Sequence, residues 1–309
     1  MTVTEWKPEH EIELVAGTPP GGGQDRPARA LIGVIEAQKL VDVPVRLTNI
    51  PGRGGGNAWD YLRTKAGDPH VLAINSPTII SNKLLAVSDF DYSALTPLCT
   101  LYTEAPAFVV RAESALTSIG HIIERLAADP AGLAVSLATA IGNTNHIALS
   151  MMTRHAGSDP RKLSIAVFDS ARDAIGHLIS GKSELAVVTA VSAVPELESS
   201  QLRALAVSSP TRLDRLFADA PTLVEAGISC DIGMWRGVIA PASIPSAAIS
   251  FWEQVLESAT TSGQWRAELA KKYWANTYSA GSELQDFLDC ERKLTSAALH
   301  DLGLMAGQG

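Results

Sequence analysis

Two glycine-rich strings near the start of the chain carry the residue types best placed to do chemistry. The first runs Gly17-Thr18-Pro19-Pro20-Gly21-Gly22-Gly23, and the second Asn49-Ile50-Pro51-Gly52-Arg53-Gly54-Gly55-Gly56. Each follows a short apolar run and precedes a helix-like stretch. Glycine permits positive φ and lets backbone come close to a ligand, so several N–H groups can converge on one anion. The helix that follows adds the positive end of its dipole. Pro19 and Pro20 stiffen the approach and lower the entropy lost on binding. A phosphate is disfavoured. No Lys-Ser/Thr follows Gly21-Gly22-Gly23, and after Gly52 and Gly54 the third glycine of a dinucleotide fingerprint falls on Asn57. The alternative is that both strings are tight turns.

The elements that must position these loops repeat one pattern. Ile12–Ala16, Val43–Leu47 and Val71–Ile74 read as strands. Each leads through a loop into a helix: Asp25 to Leu40, a start near Asn57, and a start after Asn75-Ser76-Pro77-Thr78. Repeated strand–loop–helix units predict a parallel sheet with right-handed crossovers, whose ligands sit beyond the carboxyl ends of the strands. The middle of the chain repeats the logic. Strands are expected at 107–110, 133–137, 165–168, 185–189 and 202–207, and helices at 116–128, 146–156 and 171–180. A further strand at 232–240 and helices at 246–260 and 282–302 pack back on the first lobe. The expected organisation is residues 1–103 plus 234–309 as lobe 1 and 104–233 as lobe 2.

Bulk properties bound the function. The chain has 309 residues, 46% hydrophobic and 19% charged, which suits a folded two-lobed protein. A net charge of −8 and 6% aromatics argue against nucleic acid and anionic membrane partners. No apolar run is long enough to span a bilayer. Met1 to Glu11 is polar and lacks the apolar core of a signal peptide. Cys99, Cys230 and Cys290 stand far apart with no CxxC pattern, and three reduced, mostly buried thiols are expected. No GxSxG, HExxH or metal-ligand spacing is present, so no cofactor and no metal is expected.

The ordered set of motifs resembles the Bug, or TctC-like, solute-binding proteins of tripartite tricarboxylate transporters. Thr18-Pro19-Pro20-Gly21-Gly22-Gly23-Gln24-Asp25-Arg26-Pro27-Ala28-Arg29 is similar to their PGGGxDxxAR signature, and Pro51-Gly52-Arg53-Gly54-Gly55 to PGxGG. Ala138 to His146 resembles the loop before their "HL" helix. Asp173 to Glu184 resembles a segment usually ending GGxVD, and Trp235-Arg236-Gly237-Val238-Ile239-Ala240-Pro241 resembles WxGxxAP. The resemblance runs from about Ile12 to the C-terminus. It implies an α/β, two-lobed periplasmic-binding-protein fold of type II-like form, each lobe a mainly parallel sheet flanked by helices, with a ligand cleft between lobes. It implies a small-molecule carboxylate as ligand, membrane transporter subunits as partners, a monomer, and a periplasmic location. The polar start leaves a cytoplasmic location open.

Carried over residue by residue, the resemblance implies contacts from Thr18, Pro19, Gly23, Gly54, Gly55, Ser76 and Thr78 in lobe 1. Thr139, Asn143, Asn145 and His146, then Asp169 and Ser170, follow in lobe 2. Arg53 could fork onto a second carboxylate or lie solvated on the surface. Asp25 could meet an amine or hydroxyl of the ligand, or cap the helix and brace the loop. His146 could donate to the ligand, or cap and pack. Trp59 and Trp235 read as core or boundary anchors. Departures from the family pattern are Arg53, Ser170 and Glu184. An enzyme on the same scaffold, an isomerase, hydrolase or decarboxylase using His146, Asp25, Asp169 and Glu184, is the alternative. A cytoplasmic sensor module is the weaker third reading.

Overall fold

Short, fully apolar runs set between Gly/Pro loops become the inner strands, as burial on both faces requires. A computed structural model describes residues 6–305, so the expectation for the start of the chain lies partly, at residues 1–5, outside the described residues. In chain order the elements are β1 (Ile12–Ala16), α1 (Asp25–Ala37), β2 (Val45–Asn49), α2 (Gly56–Arg63), β3 (Val71–Asn75), α3 (Thr78–Leu84) and β4 (Thr96–Glu104). Then come β5 (Pro106–Arg111), α4 (Ile119–Ala128), β6 (Ala134–Ala138), α5 (Thr144–His155), β7 (Ser164–Phe168), α6 (Ala171–Ile179), β8 (Leu185–Thr189), α7 (Ala190–Glu198) and β9 (Leu202–Val207). The chain ends with β10 (Met234–Ala240), α8 (Ser246–Thr260), α9 (Gly263–Lys271), β11 (Trp274–Ala275), β12 (Ser279–Ala280) and α10 (Gly281–Asp301).

The chain forms two units. The first comprises the residues up to Thr103 together with Trp235–Ser296. Its sheet has the order β11-β4-β10-β3-β1-β2, with β12 paired to β4. β1 runs parallel to both β2 and β3, whereas β10 is antiparallel to β3. The parallel register aligns Ala16 with Asn49, so the loops after β1 and β2 leave from one sheet edge; the loop after β3 leaves there too. One core packs α1, α8 and α9 through Leu31, Ile35, Trp252, Leu256 and Trp265; another, around Trp59, Ile79 and Ile239, carries α2 and α3.

The second unit comprises Glu104–Met234 and the segment from Ala297 onward. Its sheet has the order β7-β6-β8-β5-β9. β6 is parallel to β7 and β8, and β5 is antiparallel to β8 and β9. The loops after β6, β7 and β8 therefore share an edge. Each sheet thus joins a parallel half, which carries the loops of interest, to antiparallel strands. The sequence places residues 234–309 with the first unit, but the end of the chain from Ala297 clusters with the second. Arg154 Nη1 donates to Asp301 Oδ2 at 2.8 Å and Gly303 sits beside the Arg161 side chain, which ties that end to the second unit. Among the described residues no helix is long and apolar enough to cross a membrane.

Candidate functional site

In the first unit, three loops are locked together before any ligand arrives. Thr18 Oγ1 accepts from the amides of Gln24 and Asp25 at 3.1 and 3.2 Å, closing loop one on itself. Gln24, buried, accepts the Gly17 N–H at 2.8 Å through Oε1 and donates to Ser76 Oγ at 3.4 Å through Nε2. It therefore bridges loop one to loop three. Loop two crosses so close that a Cβ on Gly17 would lie 2.6 Å from Gly55 Cα. Gly52, Gly54 and Gly55 all adopt positive φ in loop two, where other residues are strained. Thr78 Oγ1 lies 3.0 Å from Ser76 Oγ, and its methyl packs against Gly54.

Asp25 braces this assembly. It is 1% exposed. Its carboxylate accepts from the Gly21 amide at 2.8 Å, from Asn49 Nδ2 at 2.9 Å and from both Nε and Nη2 of Arg29. Asn49 also donates to the Thr18 carbonyl at 2.8 Å, so loops one and two share this hub. Burial pushes the Asp25 carboxyl up, but hydrogen bonds from Arg29, Gly21 and Asn49 outweigh it and hold it below the ordinary carboxylate range. The structure places Asp25 as a brace inside helix α1 rather than at its cap, which is Gln24.

The amides of Thr18, Gly23, Gly54 and Thr78 find no acceptor among the described residues. Buried or half-buried N–H groups without partners are costly, and an external acceptor is the usual remedy. They belong to all three loops on one sheet edge. Pro19 is exposed beside them. Behind loop one, the buried Arg236 donates from Nε to the Gly23 carbonyl at 3.0 Å. That bond pins loop one to β10. Arg53 does not stand free. It is exposed, donates to Asn57 Oδ1 at 2.8 Å and pairs with Asp60.

In the second unit, the loop after β6 is equally ordered. Thr139, exposed and at φ 77°, donates its amide to the Phe168 carbonyl, linking the loops after β6 and β7. Asn143 caps α5: its Oδ1 accepts from the His146 amide at 3.0 Å, while Nδ2 donates to the Ala138 carbonyl and to Thr139 Oγ1. His146 Nδ1 accepts from the Gly142 amide at 3.0 Å, so the ring's proton sits on Nε2. Asn145 is 1% exposed, and its Oδ1 has no partner. Ser170 caps α6, accepting from the Asp173 amide and donating to Asp173 Oδ2; Asp169 next to it is exposed. Thr189, at the end of β8, lies on the same edge.

Burial pulls His146 down to about 4. The sign follows directly. The unfolded chain takes a proton near pH 6.5 that the folded ring refuses until about pH 4. The stability this residue contributes is therefore present above pH 6.5 and is lost as pH falls through that window, about 2 kcal/mol of it by pH 5. Urea melts at pH 7.5 and 5 measure it. His146→Gln should shrink the difference between the two pH values by about that amount, and an unchanged difference would place the pH sensitivity elsewhere.

Two of the four residues of the enzyme reading are held by other side chains. Asp25 is saturated as described, and Glu184 forms a two-pronged pair with Arg125. Cys99 and Cys230 are buried and Cys290 is exposed, all as free thiols. Among the described residues no group of three or more His, Cys, Asp or Glu could hold a metal. Trp59 is a core residue whose Nε1 donates to the Ile74 carbonyl, and Trp235 donates to Glu291. Gln24, Arg236 and Thr189 escape the sequence reading. The one available signal was a charged residue, Arg236, inside the otherwise apolar β10.

Comparisons with known proteins agree with this architecture. The family described as "Tripartite tricarboxylate transporter family receptor" matches residues 33–304, beginning within α1. BugT of Bordetella pertussis is 25% identical over 239 residues, covering 76% of this chain and 71% of that protein. MatC of Rhodopseudomonas palustris, solved with bound malate, superposes with a TM-score of 0.81 at 20% identity, covering 94% of this chain and 99% of that one. The periplasmic binding protein BugD gives 0.79 at 18% identity, covering 96% and 99%. At such identities the structural likeness shows the fold, an α/β protein of periplasmic-binding type. With the family match spanning most of its length, the chain belongs to the tripartite tricarboxylate transporter receptor family.

Proposed function

We propose that this protein is a receptor that captures a small organic carboxylate and presents it to the membrane subunits of a tripartite transporter. One observation carries the reading: the unpartnered amides of Gly23, Gly54 and Thr78, on three loops at one sheet edge, form a ready set of donors for a carboxylate. Thr18, Ser76 and Gly55 complete that grip, and Arg236 holds the Gly23 carbonyl behind it. Asp25 acts through the loops, by holding them. In the second unit Thr139, Asn143, Asn145 and His146, with Asp169 and Ser170, contribute selectivity. Neutral His146 offers an Nε2–H donor.

Arg53 is assigned to the surface pair with Asp60 and not to the ligand. The relatives' character supports a periplasmic location: MatC was solved with malate, and BugD is a periplasmic binding protein. The test is a thermal-shift panel of mono-, di- and aromatic carboxylates. A true ligand at a hundredfold excess over its Kd should stabilise the fold by about 2.7 kcal/mol. It should be recovered chemically unchanged. A flat response across the panel contradicts the reading, and conversion of the ligand to product would move it to the enzyme alternative.

A further inference from the structure

A cavity lies wholly within the second unit, along the free edge of β9. Its volume is about 470 Å³, within the range that small-molecule sites occupy. β9 is the last strand of its sheet, so one side of its backbone is unpaired over much of its length. Ile119, Leu197, Leu202 and Leu216 supply apolar wall. None of the residues assigned to the carboxylate grip lines it.

The cavity contains one cation and one anion, Arg203 and Asp219. Neither is in an ion pair with the other or with any other described residue. Arg203 is held in place by Nη2, which donates to the carbonyls of Ser114 at 3.0 Å and Leu116 at 2.9 Å. Those bonds fix the guanidinium without neutralising it, and Nε has no acceptor at all. A half-buried guanidinium without a counter-charge leaves electrostatic energy unused. A guanidinium without a counter-charge and a carboxylate lining the same cavity, with apolar wall beside them, match a small zwitterion with a hydrocarbon side chain.

We propose that this cavity binds a free α-amino acid with an apolar side chain. Its carboxylate meets Arg203, its ammonium meets Asp219, and its side chain lies against the leucines. The site is separate from the carboxylate grip, so an amino acid bound here could be present together with the transported solute.

Isothermal titration of the full chain with leucine tests this. Saturable binding is expected, weakened about tenfold or more in Asp219→Asn, an exposed substitution that leaves the core intact. 4-Methylpentanoate, which lacks the ammonium, should show no loss of affinity in Asp219→Asn, because any binding it has belongs to the glycine loops. Gly17→Ala, checked for folding by circular dichroism, disables those loops and should leave leucine binding in place. Three results would overturn the proposal: no saturable leucine binding by the native chain, equal binding in Asp219→Asn, or loss of leucine binding in folded Gly17→Ala.

Discussion

Gly17→Ala is expected to abolish carboxylate binding at any practical concentration, a loss of at least about a hundredfold, while the chain still folds. The added methyl would lie 2.6 Å from Gly55 Cα and 2.7 Å from Gln24 Oε1. Neither contact is tolerable, and the first is with backbone that cannot swing away. Loops one and two must separate, and Gln24 must give up its bond to the Gly17 amide. Overpacking of this kind costs about 1 to 3 kcal/mol of stability. The effect on binding is larger, because donors displaced by an ångström no longer converge on one anion. Gly21→Ala is the control. Its φ of +80° makes alanine strained, but nothing lies within 4 Å of the new methyl. It should lose about 1 kcal/mol of stability and keep its ligand affinity within about threefold. Titration calorimetry on both variants reads the contrast. Equal effects would mean that loop contact is irrelevant to binding.

The second large effect is expected at Asp25. Asp25→Ala leaves the Gly21 amide without its acceptor, removes one of the two acceptors of Asn49 Nδ2, and opens a hole at a position only 1% exposed. The expected cost is about 2 to 4 kcal/mol, with ligand affinity falling as well, because loops one and two lose their common hub. Arg29 is more than half exposed and returns to water at little cost. Asp25→Asn separates charge from shape. It keeps one acceptor oxygen but loses the carboxylate that answers Arg29. The sign of the acid dependence also follows. The folded carboxyl sits below its ordinary range, so its contribution is present above the unfolded value and disappears as pH falls through the folded one. Chemical melts from pH 7 to 3 should show a shallower acid loss in Asp25→Asn than in the native chain. Parallel curves would remove Asp25 from the account.

Much of this was legible from residue order. β1, β8, β9 and α8 begin and end where the apolar runs of the sequence do. The three loops at one edge follow from repeated strand–loop–helix units, because parallel strands put all such loops on the same side. Other elements were hidden for identifiable reasons. β4 begins Thr96-Pro97 and carries Thr100, Thr103 and Glu104, so it lacks an apolar pattern; its burial comes from long-range pairing. α7 contains Pro195, which reads as a break. α9 follows α8 almost at once, and only the Ser262 cap divides them.

The site shows the same division. The glycine loops announce themselves, since only glycine serves where φ is positive and backbones touch. Gln24 and Arg236 do not. Arg236 reaches Gly23 because β10 pairs antiparallel with β3 across more than half the chain length, a fact that no local pattern encodes. Arg53 looked available in sequence, but Asp60, one helical turn into α2, claims it. Asp25 has a ligand-like position and a structural role, because Asn49 arrives from the end of β2 and Arg29 from the next turn of α1 to saturate it.

The central claim is that a carboxylate accepts from the amides of Gly23, Gly54 and Thr78. Nitrogen–proton correlation spectra of the labelled chain, recorded while the best stabilising carboxylate is titrated in, test it most directly. The account predicts that these three amide protons shift downfield together and saturate with the calorimetric Kd. Tight binding that leaves all three unmoved would contradict it.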